Sequence, residues 1–234
     1  PNARLVVVKA FGENGGGRYS DVIRGIDWIV SKKATYNIRV LNCSFSAPVR
    51  SWYWQDPLNK AIMRAWRAGI VVVASAGNGG PDPMTIGVPG NVPYVITVGA
   101  MTDNYTLGNG NDDRLARFSA AGPTYEGFVK PDVVAPGGHV YSTMDKGNHR
   151  IAKDHPEFST DNDRIFIMSG TSQAAGVVSG IAALMLEQNP SLTPNDVKCG
   201  LMATANVAWN GSTTPYSVFQ QGAGLVRAYE AVHG

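Results

Sequence analysis

Residues 170–186 read GTSQAAGVVSGIAALML, a serine-bearing start followed by an unbroken small and apolar run. The apolar side chains would wrap most of the circumference of a helix, which is typical of a helix buried inside a domain. Ser172 would then lie at the N-terminal end of that helix, where its hydroxyl is a candidate nucleophile. Capping is the alternative for Thr171 or Ser172, because such oxygens accept hydrogen bonds from the free N–H groups of a first turn. These residues alone favour neither role.

Strand and helix signals alternate along the rest of the chain. This order predicts parallel strands joined by right-handed helical crossovers, and therefore an α/β fold. The apolar runs that we interpret as strands lie at residues 5–8, 38–45, 70–74 and 92–98.

Helices and loops are expected between these strands. Apolar spacing and start residues predict three further helices: one opened by Ser20 and Asp21, one over residues 58–66, and one that begins at Thr193 and Pro194. Gly69 ends the second of these as a C-terminal stop. Residues 105–113 and 145–163 are polar and aperiodic, which predicts surface loops.

The composition is that of a globular domain without a strong electrostatic field. Of 234 residues, 44% are hydrophobic, which suffices for one core, and we expect residues 1–234 to belong to one domain. A formal net charge of +2, from 20 basic and 18 acidic residues, argues against nucleic acid or a membrane surface as a partner. No stretch approaches the roughly 20 apolar residues of a membrane span.

The two cysteines, Cys43 and Cys199, are too few for a disulfide framework. Each lies in an apolar context, the first in a predicted strand and the second in a predicted helix. We therefore expect two buried free thiols. A disulfide between them would require Cα atoms within about 7 Å of each other.

Several segments resemble, in order along the chain, the motifs of the subtilisin-like (subtilase) serine peptidases. Residues 169–174, SGTSQA, resemble the nucleophile motif of that family. The other similar segments are the oxyanion-asparagine strand at 72–78, the substrate-binding strand at 41–46, the loop before the serine at 130–137, and the closing turn at 222–226. Residues 113–123 are most similar to the AprX-like branch of bacterial enzymes. The resemblance covers nearly the whole chain.

This resemblance implies a three-layer α/β/α domain with a mostly parallel central sheet, of which residues 1–234 would be the C-terminal portion. The family carries its catalytic aspartate in Asp-Ser/Thr-Gly and its histidine in His-Gly-Thr, and neither tripeptide occurs here. Residues 1–9 resemble the strand that follows the histidine helix. We therefore expect upstream polypeptide to supply the catalytic Asp and His, and the isolated chain to be inactive.

By the same resemblance, Ser172 attacks the scissile carbonyl and forms an acyl-enzyme. The Asn78 side-chain amide and the Ser172 N–H would stabilise the oxyanion, whose negative charge develops in the tetrahedral intermediate. Taken alone, Asn78 would be interpreted as a turn residue ahead of Gly79 and Gly80.

The resemblance also implies a polypeptide substrate that pairs with the enzyme as an added strand. The expected pairing segments are Gly15, Gly16 and Gly17 on one side, and Ser44, Phe45 and Ser46 on the other. Phe45, Ala76 and Gly77 would border the pocket for the residue that precedes the scissile bond, with Gly87 as its floor. No charged residue is expected to line this segment.

Metals and cofactors receive no assignment. No cofactor is required for the chemistry, and structural calcium, which occurs in the family, has no assignable site. Residues 161–163, DND, lack the glycine and distal glutamate of an EF-hand loop. His149, Asp154 and His155 lack distinctive ligand spacing, so we expect a solvated surface there.

The sequence therefore predicts a serine endopeptidase. Two alternatives remain open, a non-catalytic pseudoprotease that binds peptides and an inert fragment. The resemblance favours a secreted bacterial protein over a cytoplasmic one, but the compartment stays unassigned.

Overall fold

The computed structural model describes residues 3–106, 108–145, 147, 149–160, 164–211 and 214–234. The helices are α1 (Tyr19–Tyr36), α2 (Pro57–Arg67), α3 (Arg150–Asp154), α4 (Thr171–Gln188), α5 (Pro194–Ala203), α6 (Val218–Gln221) and α7 (Ala228–His233). The strands are β1 (Val40–Cys43), β2 (Val71–Ser75), β3 (Ile96–Thr102), β4 (Arg114–Leu115), β5 (Val133–Pro136), β6 (Val140–Thr143), β7 (Ile165–Met168), β8 (Trp209–Asn210) and β9 (Thr214–Pro215).

The main sheet is mostly parallel. Strands β1, β2, β3 and β5 lie side by side in that order and run in one direction, while short β4 pairs antiparallel with the end of β3. The register places Val73 opposite Ile96, and Val98 opposite Val133. Helices α1 and α2 pack on each other and α2 packs on β2, whereas α4 packs on all four parallel strands. The predicted three-layer α/β/α fold is confirmed.

Helix α4 is buried over most of its surface because that surface is largely apolar, while Gly176, Gly180 and Leu184 form an exposed face. Its buried side chains are Thr171, Ala174, Ala175, Val178, Ile181, Ala182, Met185 and Leu186. Burial of one side chain the size of Val or Leu contributes about 1.5–3 kcal/mol. The energetically favoured position for this helix is therefore against the sheet, as residues 170–186 predicted.

Two predicted helix boundaries are confirmed. Gly69 follows α2 with φ +79°, a left-handed conformation that costs glycine little, and its N–H donates to the Trp66 carbonyl at 2.9 Å. Thr193 starts α5 through a capping box, in which its hydroxyl accepts from the Asp196 N–H and the Asp196 carboxylate accepts from the Thr193 N–H.

A buried ionic network joins α5 to the sheet. The Lys130 Nζ lies 2.6 Å from an Asp132 carboxylate oxygen and 2.9 Å from the Val95 carbonyl, and Lys198 lies 2.9 Å from the other oxygen of Asp132. The same Asp132 accepts from the Thr97 N–H at 2.7 Å. Burial of the ammonium lowers the pKa of Lys130 to about 7, although the attraction of Asp132 opposes that shift.

Three sequence predictions differ from the structure. Residues 5–8 form no strand, because no described residue pairs with them, and Leu5 and Val7 are each 87% exposed. The strand predicted at residues 92–98 begins only at Ile96, since Val92 and Val95 are buried within a loop. The predicted loop at residues 145–163 contains α3, in which Arg150 and Asp154 form an i,i+4 ion pair.

The two cysteines are free, but they differ in exposure. Cys43 is buried in β1 as predicted, and burial raises the pKa of its thiol to about 12. Cys199 is exposed, so the prediction of a second buried thiol was wrong: its position on α5 faces away from the apolar side that holds Val197 and Leu201. Among the described helices, none is long and apolar enough to cross a membrane.

The native protein should therefore show unequal thiol reactivity. We expect iodoacetamide at pH 8 to label Cys199 and to leave Cys43 unlabelled, because only a thiolate reacts and a buried thiol stays protonated. Peptide mass spectrometry before and after unfolding in guanidinium measures this directly. Equal labelling of both residues in the native protein would contradict the buried position of Cys43.

Candidate active site

The start of α4 lies at the carboxyl ends of the parallel strands. Gly170 is the N-cap residue and provides no side-chain cap, so Thr171 and Ser172 are the first two residues within the helix. The Gly170 N–H donates to the carbonyl of Gly137, just beyond β5, at 2.8 Å. Capping is therefore not the role of either hydroxyl, and the alternative left open by the sequence is removed.

Thr171 fixes the orientation of the Asn78 side chain. Asn78 follows β2, and its Oδ1 accepts hydrogen bonds from the Thr171 N–H at 3.0 Å and the Thr171 hydroxyl at 2.8 Å. The Thr171 hydroxyl in turn accepts from the buried Gly77 N–H at 3.2 Å. Because the amide oxygen is engaged, the Nδ2 donor of Asn78 is the end left for another acceptor.

Two hydrogen-bond donors face one small volume beside Ser172. A Cβ atom added to Gly170 would lie 2.8 Å from the Oε1 of Gln173, 3.4 Å from the Nδ2 of Asn78 and 3.7 Å from the backbone nitrogen of Ser172. Neither donor is bonded to a described residue, and the positive end of the α4 dipole points to the same place. The two donors suit an anion or a developing oxyanion, but the Gln173 amide oxygen, an acceptor, must turn away before an anion enters this volume.

The Ser172 side chain is hydrogen-bonded to the strand opposite. Its Oγ donates to the Ser44 carbonyl at 3.0 Å, and the Ser44 hydroxyl donates to the Ser172 carbonyl at 2.8 Å. These two bonds hold the end of β1 against the start of α4. They also leave the Ser172 hydroxyl half-buried, at the edge of the volume between the two donors.

None of the four histidines forms a hydrogen bond with Ser172 in the described part of the chain. His139 pairs with Asp103 at 3.0 Å, and this hydrogen bond lowers the pKa of the Asp103 carboxyl. His155 lies 3.2 Å from Glu157, and the His233 ring packs against a tyrosine of its own helix. A base for Ser172 is therefore not present among these side chains.

The described ranges contain no group of three or more His, Cys, Asp or Glu side chains that could hold a metal ion. His149, Asp154 and His155 are exposed. Asp161, Asn162 and Asp163, the calcium candidates of the sequence, lie outside the described residues.

A cavity of about 860 Å³ opens beside Asn78. Of the residues expected at the specificity pocket, Gly77 and Gly87 line it, together with Ser46 of the expected pairing segment. Gly87 is necessary there because an added Cβ would lie 2.0 Å from the Ser46 Oγ. Any larger residue at this position would fill the space between the two walls.

Two of the expected pocket residues do not line this cavity. Ala76 is fully buried behind the wall, where it packs with Ile86 and Ala120 and supports the surface without forming it. Phe45 points to the other side of its segment, where its ring lies 5.2 Å from that of Phe11. The alternation of side chains along an extended segment explains why Ser46 faces the cavity and Phe45 does not.

The predicted substrate-pairing segment of Gly15, Gly16 and Gly17 lies near the other predicted pairing segment, residues 44–46. Gly15, Gly16 and Gly17 are exposed, and Gly17 is so close to the Phe11 ring that an added Cβ would lie 2.7 Å from it. Because Phe11 also contacts Phe45, the two segments expected to flank a substrate are joined through one aromatic pair.

Two residues near this site were not predicted from the sequence. Thr171 was considered only as a helix cap, although a hydroxyl buried between two site residues is a better sign of a positioning role. Arg50 lines the cavity, so the expectation that no charge lies there was wrong. Arg50 belongs to a loop without periodicity, and no sequence pattern indicated where that loop would fold.

Comparison with known proteins decides the family. The profile of peptidase family S8, the subtilase family, matches residues 1–224. The chain belongs to the subtilase family. It is 38% identical over 245 aligned residues to serine protease AprX of Bacillus subtilis (strain 168), with 100% of this chain and 52% of that protein covered.

The chain is also similar to other subtilases in sequence and in structure. Subtilisin E of the same Bacillus strain is 33% identical, with 99% of this chain and 49% of that protein covered. The chain thus spans about half the length of these curated relatives. Among solved structures, the S41 psychrophilic protease superposes with a TM-score of 0.71 at 26% identity, covering 93% of this chain and 66% of that one. Sphericase, at a TM-score of 0.72 and 24% identity with the same coverage, shows the shared fold.

The Thr171 hydroxyl should contribute measurably to stability. Thr171→Val removes it and leaves the buried Gly77 N–H without an acceptor, which we expect to lower the free energy of unfolding by about 1–3 kcal/mol. Urea denaturation of the full-length protein measures this. Thr171→Ser keeps the hydroxyl and is the matched control; an equal loss in both variants would show that the methyl group, and not the hydrogen bonds, matters.

Proposed function

We propose that the full-length protein is a serine endopeptidase in which Ser172 is the nucleophile and Asn78 stabilises the oxyanion. The observation that carries this proposal is the convergence of the Asn78 amide and the Ser172 N–H on one volume beside the Ser172 hydroxyl. Membership of the subtilase family supports the same reaction class.

The reaction would proceed through an acyl-enzyme. The Ser172 Oγ forms a bond to the scissile carbonyl carbon as its proton passes to a general base, and the carbonyl oxygen takes up negative charge between the two donors. Collapse of this intermediate breaks the C–N bond, and the base returns the proton to the leaving amine. Water, deprotonated by the same base, then bonds to the acyl carbon, and the ester bond to the Ser172 Oγ breaks as the base returns the proton to that oxygen.

The base and its orienting carboxylate are proposed to lie in polypeptide upstream of this chain. This is supported by the hydrogen bond of the Ser172 Oγ to the Ser44 carbonyl, an acceptor that cannot serve as a base. The exposed apolar side chains of Leu5 and Val7 also support a neighbouring segment, because such surface is normally covered. On this proposal the isolated chain is inactive.

The substrate is proposed to be an extended polypeptide, and the chemistry to need no cofactor. Ser44, Phe45 and Ser46 would form one edge and Gly15, Gly16 and Gly17 the other, so that backbone hydrogen bonds hold the substrate with little demand on its sequence. The side chain before the scissile bond would then enter the cavity above Gly87.

A fluorophosphonate probe tests the nucleophile. We expect it to label Ser172 of the full-length protein and to fail with both Ser172→Ala and the isolated 234-residue chain, since an unassisted serine hydroxyl stays protonated. Intact and peptide mass spectrometry identify the labelled residue. A full-length protein that binds peptides but resists the probe would instead be a pseudoprotease.

Asn78 should affect the rate far more than substrate binding. We expect Asn78→Ala in the full-length protein to lower kcat by roughly 10²–10³, the range found when one oxyanion donor of a subtilisin is removed, with little change in KM. Steady-state kinetics on a peptide p-nitroanilide measure both constants. If KM carries the loss, Asn78 binds substrate and does not stabilise the oxyanion.

A further inference from the structure

The cavity beside Asn78 is lined by a single charged side chain, that of Arg50. In the described part of the chain, the Arg50 guanidinium forms no ion pair with a carboxylate. The other lining residues are apolar, or carry neutral polar groups such as the Ser46 hydroxyl and the Gln55 amide. The lining residues of the cavity therefore carry one positive charge and no negative charge.

Two carboxylates near this loop, those of Asp56 and Glu126, do not line the cavity. Asp56 caps α2 by accepting two backbone N–H groups at 2.9 and 3.0 Å, and its second oxygen accepts from the Tyr19 hydroxyl at 3.4 Å. Glu126 accepts from the Tyr53 N–H at 2.7 Å. The second oxygen of Glu126 is buried without a described hydrogen-bond partner, and the positive charge of Arg50 acts against the rise in the pKa of Tyr19 that burial and Asp56 cause.

Two contacts hold the loop that carries Arg50. Before it, Ala47 and Val88 exchange two backbone hydrogen bonds of 2.9 and 2.8 Å. After it, the Trp52 ring stacks on Trp54 with centroids 5.1 Å apart and contacts Tyr125 at 4.8 Å. Aromatic pairs contribute about 0.5–1.5 kcal/mol each beyond their burial, so Arg50 is presented from an anchored loop.

The cavity is too large to select a substrate side chain by its size. Its volume of about 860 Å³ lies within the roughly 300–1,000 Å³ typical of sites for drug-sized molecules, so a single amino-acid side chain does not fill it. At Gly87 the space where a Cβ would project is occupied by the Ser46 hydroxyl and the Ala47 carbonyl, so small groups form this part of the lining. Discrimination between side chains of equal length must then come from charge.

We propose that Arg50 is a specificity determinant that makes this cavity accept glutamate, and reject lysine and arginine, as the residue preceding the scissile bond. The inference rests on the proposed peptidase function. A guanidinium forms two parallel hydrogen bonds with a carboxylate, and such charge-assisted bonds are stronger than those of a neutral amide. A cationic side chain meets like charge in the same place.

The first experiment compares substrates that differ only in charge. Full-length protein is assayed on Ala-Ala-Pro-Xaa p-nitroanilides with Xaa as Glu, Gln or Lys. We expect kcat/KM for Glu to exceed that for Gln by about 3- to 10-fold, and kcat/KM for Lys to fall below that for Gln.

High salt should reduce the preference for Glu over Gln, because an exposed guanidinium is screened. Arg50→Gln should bring the Glu to Gln ratio to about 1, whereas Arg50→Lys should retain rejection of the lysine substrate.

Arg67→Gln is the matched control. Arg67 is exposed on α2 and does not line the cavity, so its loss changes net charge equally and should leave the ratio unaltered. A wild-type enzyme that cleaves Gln as well as Glu, or a ratio that falls equally in both Gln variants, would overturn the assignment of Arg50 and leave the peptidase function standing.

A binding measurement separates the two proposals. Calorimetric titration of Ala-Ala-Pro-Glu-Ala-Ala and its Gln counterpart into the full-length Ser172→Ala protein requires no catalysis. We expect tighter binding of the Glu peptide, and loss of that preference when Arg50→Gln is added. If the protein cleaves no substrate but shows this preference, the peptidase proposal fails and the role of Arg50 stands. Equal binding of both peptides would overturn the role of Arg50.

Discussion

Burial of α4 is the constraint on which the site depends. A helix with apolar side chains on nearly every face is stable only where both the sheet and neighbouring helices cover it, and α4 contacts β1, β2, β3 and β5 together with α5 and α7. Its first turn is thereby fixed at the carboxyl ends of the strands, where α/β sheets bind ligands. The positions of Ser172 and Asn78 follow from core packing and not from contacts among the site residues alone.

Thr171 fixes the orientation of the Asn78 side-chain amide at that position. An asparagine exposed at the end of β2 would otherwise sample several rotamers, and either end of its amide could face the serine. Two hydrogen bonds from Thr171 occupy the amide oxygen, so the NH₂ group faces the volume beside Gly170. Preorganised donors of this kind are effective because no dipole must reorient as charge develops. The two donors thus need no reorientation themselves, whereas the Gln173 amide oxygen must leave the volume before charge develops there.

Features set by local pattern were predictable, whereas those set by tertiary neighbours were not. Residues 170–186 predicted α4 because apolar residues around a whole helix require burial, and Gly69 predicted the end of α2 because few other residues adopt its conformation. The pairing of Ser172 with Asn78 was available only through family resemblance, since 94 positions separate them and no spacing rule connects them. Residues 5–8 have a strand-like pattern without a described partner. Arg50 lies in a loop whose path is set by the packing of Trp52, which no periodicity encodes.

The arrangement separates two parts of the proposed reaction. Asn78, the proposed oxyanion donor, and the Ser172 hydroxyl are held by hydrogen bonds within this chain, whereas the proton acceptor is proposed to lie outside it. Ser172 must therefore exchange the Ser44 carbonyl for a base before it can attack, and the energy of that hydrogen bond opposes the exchange by about 0.5–1.5 kcal/mol. The Ser44 hydroxyl keeps its own bond to the Ser172 carbonyl throughout, so rotation of the serine side chain does not release the helix from the strand. Nucleophile activation can then proceed by a change in one side-chain torsion while the oxyanion donors stay in place.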